Sequence, residues 1–223
     1  MIRLAAIVVG LCLVAAAPGT RAAERVLDDL TDGMDPAWQE KTFAGRTRYR
    51  LIQDQSAPCI EALSVASASG LVFPIRYQLA DWPILRWRWR IDRSLAAGDT
   101  GRKEGDDYAA RVYVVFPSVL FWRTRALSYV WASRLARGAA VPNPYTANTI
   151  MIAVESGDQL AGQWQEEERD VLADFRTHFS GEPPPVGAIG IMTDTDNTGE
   201  TATACYGPIR LASPAPAAGA SRP

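Results

Sequence analysis

One segment of this chain alternates so strictly between apolar and basic residues that it determines its own local structure. Residues 85–91 read Leu-Arg-Trp-Arg-Trp-Arg-Ile. Successive side chains of a β-strand point to opposite faces, so a strand separates the apolar residues from the three arginines, whereas a helix would mix the two classes. We therefore expect a strand whose face with Trp87 and Trp89 is buried and whose arginine face is exposed.

The same period of two residues recurs along the chain and predicts further strands. Strong signals lie at 108–116, 149–154, 186–193 and 204–211, and weaker ones at 47–53, 60–67 and 70–78. Many strands separated by polar turns favour an all-β fold, an antiparallel β-sandwich of two sheets.

One short helix is expected near 170–179. Val171, Leu172, Phe175 and Phe179 would share one side of it, and Asp170 is well placed as its N-cap. A second short helical or loop piece is expected at 127–136.

The two ends of the chain differ in composition from its middle. Residues 1–22 combine a basic start, a short apolar run and a small-residue zone ending at Ala22, which is typical of a cleavable secretory signal peptide. No later segment approaches the roughly 20 apolar residues of a membrane-spanning helix. Residues 212–223 lack large apolar side chains and are predicted to be a disordered tail. We expect a β-sandwich domain at 24–211 in a periplasmic or secreted protein.

The charge balance is mildly acidic. The chain has 23 basic and 25 acidic residues, and removal of Arg3 and Arg21 with the signal peptide would increase the acidic excess. A nucleic-acid-binding protein would present a strongly basic face, so nucleic acid is excluded as a partner of this chain.

Two cysteines, Cys59 and Cys205, would remain after removal of the signal peptide. An oxidising compartment permits a disulfide between them. Two separate buried thiols are the alternative, and the sequence does not distinguish the two.

Six motifs spread over most of the chain carry a family resemblance. They are Trp-Arg-Trp-Arg at 87–90 and the segments 105–116, 129–133, 143–145, 168–171 and 193–199. Together they resemble the bacterial family catalogued as domain of unknown function 3047, over about 27–211. The family name implies no reaction.

A second resemblance rests on the order of elements. The opening Val-Leu-Asp-Asp-Leu at 26–30, with Trp38 after it, and the closing Tyr-Gly-Pro-Ile-Arg-Leu at 206–211 are similar to galactose-binding-like jelly rolls of carbohydrate-binding modules. This resemblance implies a jelly-roll-like sandwich in which the first and last strands lie side by side. By analogy it also implies a glycan-binding role.

Alternating carboxylates in residues 194–200 are the best local motif. Asp194 and Asp196 are followed by Gly199, as in the first half of a calcium loop. Cys205 stands where an EF-hand requires glutamate, so this is not an EF-hand. The jelly-roll resemblance allows a structural Ca²⁺ shared with Asp28 or Asp29. The alternative is a polar hairpin whose Asp and Asn side chains bond their own backbone.

Asp106 and Asp107 precede the strand that carries Arg111. Paired carboxylates could act as the acid and base of a glycoside hydrolase, which holds them about 5 to 9 Å apart. Neighbouring strand residues point to opposite faces, so one of the pair would need a distant partner such as Glu168 or Asp194. The other interpretation is a salt bridge to the strand arginines.

Aromatic and basic side chains supply the candidate ligand contacts. Tryptophan and tyrosine rings beside loops can stack on sugar rings, while arginine and aspartate bind hydroxyl groups through directed hydrogen bonds. The candidates are Arg86, Arg88, Asp106, Asp107, Arg111, Trp122, Trp131, Tyr145 and Trp164.

No catalytic residue is predicted. His178 is the only histidine, so a zinc site of several histidines is excluded and a catalytic triad would depend on this one residue. We expect an exported, non-catalytic module that binds a carbohydrate or another polyhydroxylated ligand. A glycan-acting hydrolase and an envelope scaffold without a small ligand are the alternatives, and the sequence predicts no oligomeric state.

Overall fold

The protein is represented by a computed structural model that describes residues 22–54 and 57–214. The predicted signal peptide before Ala22 and the predicted tail from residue 215 lie outside this part of the chain.

Strands dominate the described residues and form two seven-stranded sheets. In chain order they are β1 (Glu24–Asp28), β2 (Gln39–Ala44), β3 (Arg48–Asp54), β4 (Ala57–Val65), β5 (Ala68–Tyr77), β6 (Ile84–Ile91), β7 (Ala110–Phe116), β8 (Arg125–Ala132), β9 (Ala140–Asn143), β10 (Thr146–Ser156), β11 (Gln165–Asp170), β12 (Val186–Asp194), β13 (Thr201–Tyr206) and β14 (Ile209–Ala212). With one short α-helix, this is the predicted jelly-roll-like β-sandwich.

The first sheet is organised around β6. Its order is β1-β14-β6-β13-β4-β3, and β11 also pairs with β6. Because Leu85 pairs with both Leu211 of β14 and Arg169 of β11, these two strands flank opposite edges of β6. The first and last strands, β1 and β14, pair antiparallel, as the jelly-roll resemblance implied.

The second sheet has the order β2-β5-β12-β7-β8-β10-β9. All its neighbours are antiparallel except β8 and β10, which pair in parallel. The predicted antiparallel sandwich therefore has one parallel pair, because the chain leaves β8, forms β9, and returns through a hairpin that inserts β10 between them.

Aromatic side chains join the two sheets. The ring centroid of Trp87 lies 5.3 Å from that of Tyr129, and the centroid of Trp89 lies 6.0 Å from that of Trp131. All four side chains are buried, whereas the arginines between them are only half-buried. The apolar face of residues 85–91 is therefore turned to the core, as predicted.

The prediction of a helix or loop at 127–136 is wrong, because most of this segment is β8. Leu127 and Tyr129 face the main core, while Val130 and Ala132 join a second apolar cluster on the other face. A strand buried on both faces lacks the polar alternation by which strands are recognised.

The last predicted strand, 204–211, is interrupted at Gly207 and Pro208 and divided into β13 and β14, which both pair antiparallel with β6. A Cβ at Gly207 would lie 2.6 Å from the Arg88 side chain, so glycine permits this close crossing. Ala212, placed in the predicted tail, closes β14.

The predicted helix is observed as α1 (Val171–His178). The Asp170 carboxylate accepts a hydrogen bond from the backbone N–H of Ala173 at 2.9 Å, which confirms it as the N-cap. Phe175 is buried against Phe116 with ring centroids 4.7 Å apart. Among the described residues, no helix is long and apolar enough to cross a bilayer.

A disulfide joins Cys59 of β4 to Cys205 of β13, residues 146 positions apart. Closing a loop of this length removes much conformational entropy from the unfolded chain. We expect reduction by dithiothreitol to lower the free energy of unfolding by about 3–5 kcal/mol in urea titrations. The Cys59→Ser/Cys205→Ser variant should reproduce the loss without reductant. Equal unfolding midpoints with and without reductant would contradict the bond.

A buried carboxyl couples the first sheet to pH. Glu167 of β11 accepts a hydrogen bond from Trp89 Nε1 at 3.2 Å. Burial, reinforced by the nearby charge of Glu155, raises the pKa of Glu167 from 4.5 to about 7. The folded chain therefore keeps a proton that the unfolded chain releases, so stability should fall as pH rises from about 4.5 to about 7 and then stay level.

We expect Glu167→Gln to remove the contribution of Glu167 to this slope, because glutamine keeps the acceptor for Trp89 and carries no charge. Asp194, whose pKa is also raised by burial to about 7, contributes equally in the variant and in the unaltered protein. The gain in unfolding free energy at pH 8 should be on the order of 1–2 kcal/mol, and near zero at pH 4.5. Urea titrations across this range measure it. Glu168→Gln is the control, since Glu168 is exposed and should leave the slope in place. A parallel shift at every pH would contradict the assignment.

Candidate functional site

A cleft of about 360 Å³ opens on the outer face of the second sheet, the face turned away from the core. We call it the polar cleft. Strands β7 and β12 supply its floor, the segment before β7 and the turn after β12 supply one wall, and the β9–β10 hairpin supplies the other. Its lining residues are Phe43, Ala68, Asp106, Arg111, Tyr113, Asn143, Tyr145, Thr149, Met192, Asp194, Asp196 and Asn197.

A buried ion pair lies in the floor of the polar cleft. Arg111 donates two parallel hydrogen bonds to the Asp194 carboxylate, from Nε to Oδ1 at 2.8 Å and from Nη2 to Oδ2. Nη1 donates to the Tyr113 hydroxyl at 3.1 Å and Nη2 to the Asp106 carbonyl at 2.7 Å. The guanidinium carbon also lies 4.2 Å from the centroid of the Tyr108 ring.

These contacts hold the guanidinium rigid and charged. Burial lowers the pKa of Arg111, but the attraction of Asp194 outweighs it and leaves the pKa well above its usual value. Bidentate geometry fixes the plane of the guanidinium as well as its position. The floor of the cleft is therefore preorganised before any ligand arrives.

Asp106 on one wall and Asn143 on the other meet beside this pair. Asn143 Nδ2 donates to Asp106 Oδ2 at 2.7 Å, and Asp106 Oδ1 lies 3.9 Å from Arg111 Nη1. Burial raises the pKa of Asp106, while Arg111 and Asn143 oppose the rise. Neither Asp106 nor Asp107 lies on a strand, so the expected opposition of their side chains across a sheet does not apply.

Asp107 instead holds the turn after β12. Its Oδ1 accepts from the backbone N–H of Asn197 at 3.3 Å and from Asn197 Nδ2 at 3.1 Å, and its Oδ2 accepts from the N–H of Thr198 at 2.6 Å. Tyr145 closes the rim, because its hydroxyl donates to Asn197 Oδ1 at 2.7 Å. Its ring is more than half exposed.

Carboxylate oxygens of Asp107, Asp194 and Asp196 lie within 4.8 Å of one another. Asp28, the third ligand of the predicted calcium site, is engaged elsewhere, with the backbone N–H of Asp35 at 3.0 Å and Trp38 Nε1 at 2.8 Å. Ca²⁺ takes about six to eight oxygen ligands. The guanidinium on Asp194 and the turn amides on Asp107 already occupy this cluster, so its residues fit a hydrogen-bonded turn better than a calcium site.

A second, larger cleft of about 590 Å³ continues across the same face of the sheet. We call it the apolar cleft. It shares Phe43, Tyr113, Thr149 and Met192 with the polar cleft. Its floor is built from small or apolar side chains of the central strands: Gly70, Leu71, Val72, Val115, Ala126, Ala188, Gly190 and Ile191. Polar groups and an apolar surface thus form one continuous groove.

The structure brings only part of the predicted binding set together. Asp106, Arg111 and Tyr145 line the polar cleft. Asp107 lies beside the cleft and holds its turn.

Other candidates lie on the outer face of the first sheet, away from the cleft. Arg86 pairs with Glu168 at 2.6 Å. Arg88 stacks on Trp164 with its guanidinium carbon 4.6 Å from the ring centroid, and Trp164 Nε1 donates to Asp54 at 3.1 Å. The predicted salt bridge from Asp106 or Asp107 to these arginines is wrong, because the two groups lie on different sheets.

Trp131 and Trp122 are also separated from the cleft. Trp131 is 1% exposed and belongs to the core, so it cannot serve as a platform for a ligand. The sequence prediction placed Trp131 beside a loop, whereas it lies within β8. Trp122 is exposed, but it lies in the loop between β7 and β8. Glu168, the distant acid of the hydrolase hypothesis, is on β11 and does not line the cleft.

Sequence reasoning missed Phe43, Asn143 and Asn197 among the lining residues. Asn143 and Asn197 lie within two of the motifs that carry the family resemblance, 143–145 and 193–199, so a signal for them was present. Phe43 lies on the short edge strand β2, and its single apolar side chain gave no periodic signal.

One protein family matches most of the chain. The family described as Protein of unknown function (DUF3047) matches residues 36–210. No curated protein matches the sequence.

Three solved structures align with most of this chain at low sequence identity. The family 30 carbohydrate-binding module of the cellulosomal cellulase Cel9D-Cel44B of Clostridium thermocellum is 8% identical, with 86% of this chain and 98% of that chain covered and a TM-score of 0.48. The xyloglucanase domain of NopAA, a type three effector from Sinorhizobium fredii, in complex with cellobiose, is 9% identical. The alignment covers 79% of this chain and 93% of that chain, with a TM-score of 0.44.

The lectin from Bauhinia forficata in complex with GalNAc is 12% identical. The alignment covers 87% of this chain and 99% of that chain, with a TM-score of 0.42. At such identities and TM-scores, the ligands of these three proteins do not transfer to this chain.

The ion pair in the floor of the cleft can be tested by its energetics. We expect Asp194→Asn to lower the free energy of unfolding by about 3–5 kcal/mol, because it leaves a buried guanidinium without its counterion. The Arg111→Met/Asp194→Leu variant should recover most of the loss, since no buried charge remains. Urea titrations measure both. A loss below about 1 kcal/mol for Asp194→Asn would show that the pair is not buried.

Proposed function

We propose that this chain, which belongs to the family described as Protein of unknown function (DUF3047), is an exported carbohydrate-binding protein whose polar cleft holds a neutral polyhydroxylated ligand. The observation that carries this proposal is the convergence of fixed polar groups and aromatic rings in one groove. Arg111, Asn143 and Asn197 line the cleft together with the rings of Tyr113 and Tyr145.

This combination suits a sugar because a pyranose ring has two kinds of surface. Its hydroxyl groups donate and accept directed hydrogen bonds, and its axial C–H groups form apolar patches that stack on aromatic rings. Hydrogen bonds among Arg111, Asp106 and Asn143 hold the lining groups in place. A rigid site loses little conformational entropy when it binds.

The charge of the lining favours a neutral ligand. Asp106, Asp194 and Asp196 contribute carboxylates, whereas Arg111 is the basic residue among the lining side chains. An acidic sugar would be repelled by this excess of carboxylates. Four of the five N–H groups of Arg111 already donate to Asp194, Tyr113 and Asp106, so Arg111 has little capacity left with which to pair an anion.

Export is part of the proposal and is supported by two features. The first 22 residues have the composition of a secretory signal peptide. The Cys59–Cys205 disulfide is of the kind that persists in an oxidising compartment such as the periplasm or the extracellular space. Recovery of the protein in the periplasm or medium with a new N-terminus near residue 23 would test this part directly.

Binding is tested with a panel of soluble polysaccharides, neutral and acidic, by affinity gel electrophoresis followed by calorimetry. We expect one or more neutral members to retard the protein. Tyr145→Ala should weaken binding by about tenfold because it removes an exposed ring from the rim, and Asn143→Ala by a similar factor. Trp164→Ala is the matched control, since this ring lies on the opposite sheet, and it should bind as the unaltered protein does.

Three outcomes would overturn the proposal. They are no retardation by any neutral polysaccharide, retention of affinity in Tyr145→Ala and Asn143→Ala, and loss of affinity in Trp164→Ala. Thermal melts of each variant show whether the fold is intact. Reducing ends released from a bound polysaccharide would show that the cleft is catalytic, with Asp106 and Asp196 as the carboxylates to examine.

A further inference from the structure

The loop that joins β7 to β8 exposes four consecutive apolar side chains. Relative to the extended chain, the exposed fractions are 104% for Val119, 38% for Leu120, 79% for Phe121 and 60% for Trp122. Singly exposed apolar residues are ordinary on a protein surface, but a contiguous group marks a contact surface. We call residues 118–124 the apolar loop.

Hydrogen bonds fix the backbone of the apolar loop in the conformation that exposes these side chains. The backbone N–H groups of Arg123 and Thr124 donate to the carbonyls of Leu120 and Phe121 at 2.8 and 3.0 Å. Asn148 Nδ2 of β10 donates to the Trp122 carbonyl at 2.6 Å. These bonds form a 3₁₀ turn at Phe121–Arg123 whose side chains project away from the sandwich, instead of folding back onto it.

Basic groups without acidic neighbours lie beside the apolar loop. A cleft of about 430 Å³ is lined there by Phe116, Pro117, Ser118, Arg123, Arg125, Asn148 and Pro184, and none of these side chains is acidic. Neither Arg123 nor Arg125 lies within 4.0 Å of a carboxylate in the described part of the chain. The chain as a whole has an acidic excess, so the pairing of exposed apolar side chains with these two arginines is a feature of this one surface.

We propose that the apolar loop docks the protein on the surface of a lipid bilayer that carries anionic headgroups. Phe121 and Trp122 would enter the boundary between headgroups and acyl chains, where aromatic rings are stabilised. Arg123 and Arg125 would face the headgroup phosphates, each attracted by the negative surface potential.

The shape of the loop favours a bilayer over a folded protein as the partner. Val119 stands fully exposed at the tip, and the apolar side chains follow one another along a projecting turn instead of forming a flat patch. A projecting apolar tip flanked by cations enters a fluid interface directly, while a folded protein would need a complementary hollow. This docking is separate from ligand binding in the polar cleft.

The test is flotation of the exported chain, its N-terminus determined by mass spectrometry, with two kinds of vesicle. One contains phosphatidylcholine alone, and the other also contains phosphatidylglycerol. We expect co-flotation with the second kind at low salt. Phe121→Ser/Trp122→Ser should reduce partition by about tenfold or more. Arg123→Gln/Arg125→Gln should reduce it by about fivefold for each arginine and abolish the preference for phosphatidylglycerol.

Val65→Ser is the matched control, because Val65 is an exposed apolar residue at the end of β4 on the other sheet, and its partition should not change. Brominated phosphatidylcholine in the vesicles should quench a fluorescence component that is absent from Trp122→Phe. Thermal melts show whether each variant is folded.

The inference is overturned if the unaltered protein does not float with either vesicle, or if the loop variants and Val65→Ser partition equally. It is also overturned if light scattering shows a dimer that Phe121→Ser/Trp122→Ser dissociates, since the loop would then contact a second copy. Glycan binding by the unaltered protein in the absence of vesicles is independent of each of these results.

Discussion

The contact between Trp87 and Trp89 on one sheet and Tyr129 and Trp131 on the other determines the rest of the molecule. Burying large aromatic side chains supplies much of the apolar free energy that a sandwich of this size needs. Tyr129 and Trp131 fill the inner face of β8 and complete the core behind the second sheet, and the outer face of the neighbouring strand β7 carries Arg111 and Tyr113 of the groove. The groove lies on that outer face, so the site depends on the core behind it.

Local periodicity predicted the parts of the fold that depend on one buried face. In the segment 85–91 the sequence shows directly which face of the strand is buried, because every second residue is charged. The signal fails in β8, which is apolar on both faces and resembles a buried helix, and in the edge strands β2, β9 and β11, which are short or polar. The parallel pairing of β8 with β10 depends on how a later hairpin inserts, which no local pattern encodes.

The site was less predictable because its partners are distant in sequence. Arg111 and Asp194 are 83 residues apart, and the sequence does not state that they pair. Asp106, Arg111 and Tyr145 were recognised as polar or aromatic residues near strand ends, and the structure gathers them. Arg86, Arg88 and Trp164 have the same chemistry on the opposite sheet, so residue type alone could not separate the two groups.

Strand β7 has the polar cleft near its start and the apolar loop just after its end. Seven extended residues span about 20 Å and, paired on both edges, they do not bend appreciably. The strand therefore fixes the distance between the polar cleft and the apolar loop. The proposed docking of the loop would therefore hold the proposed glycan site about 20 Å along the strand from the docked surface.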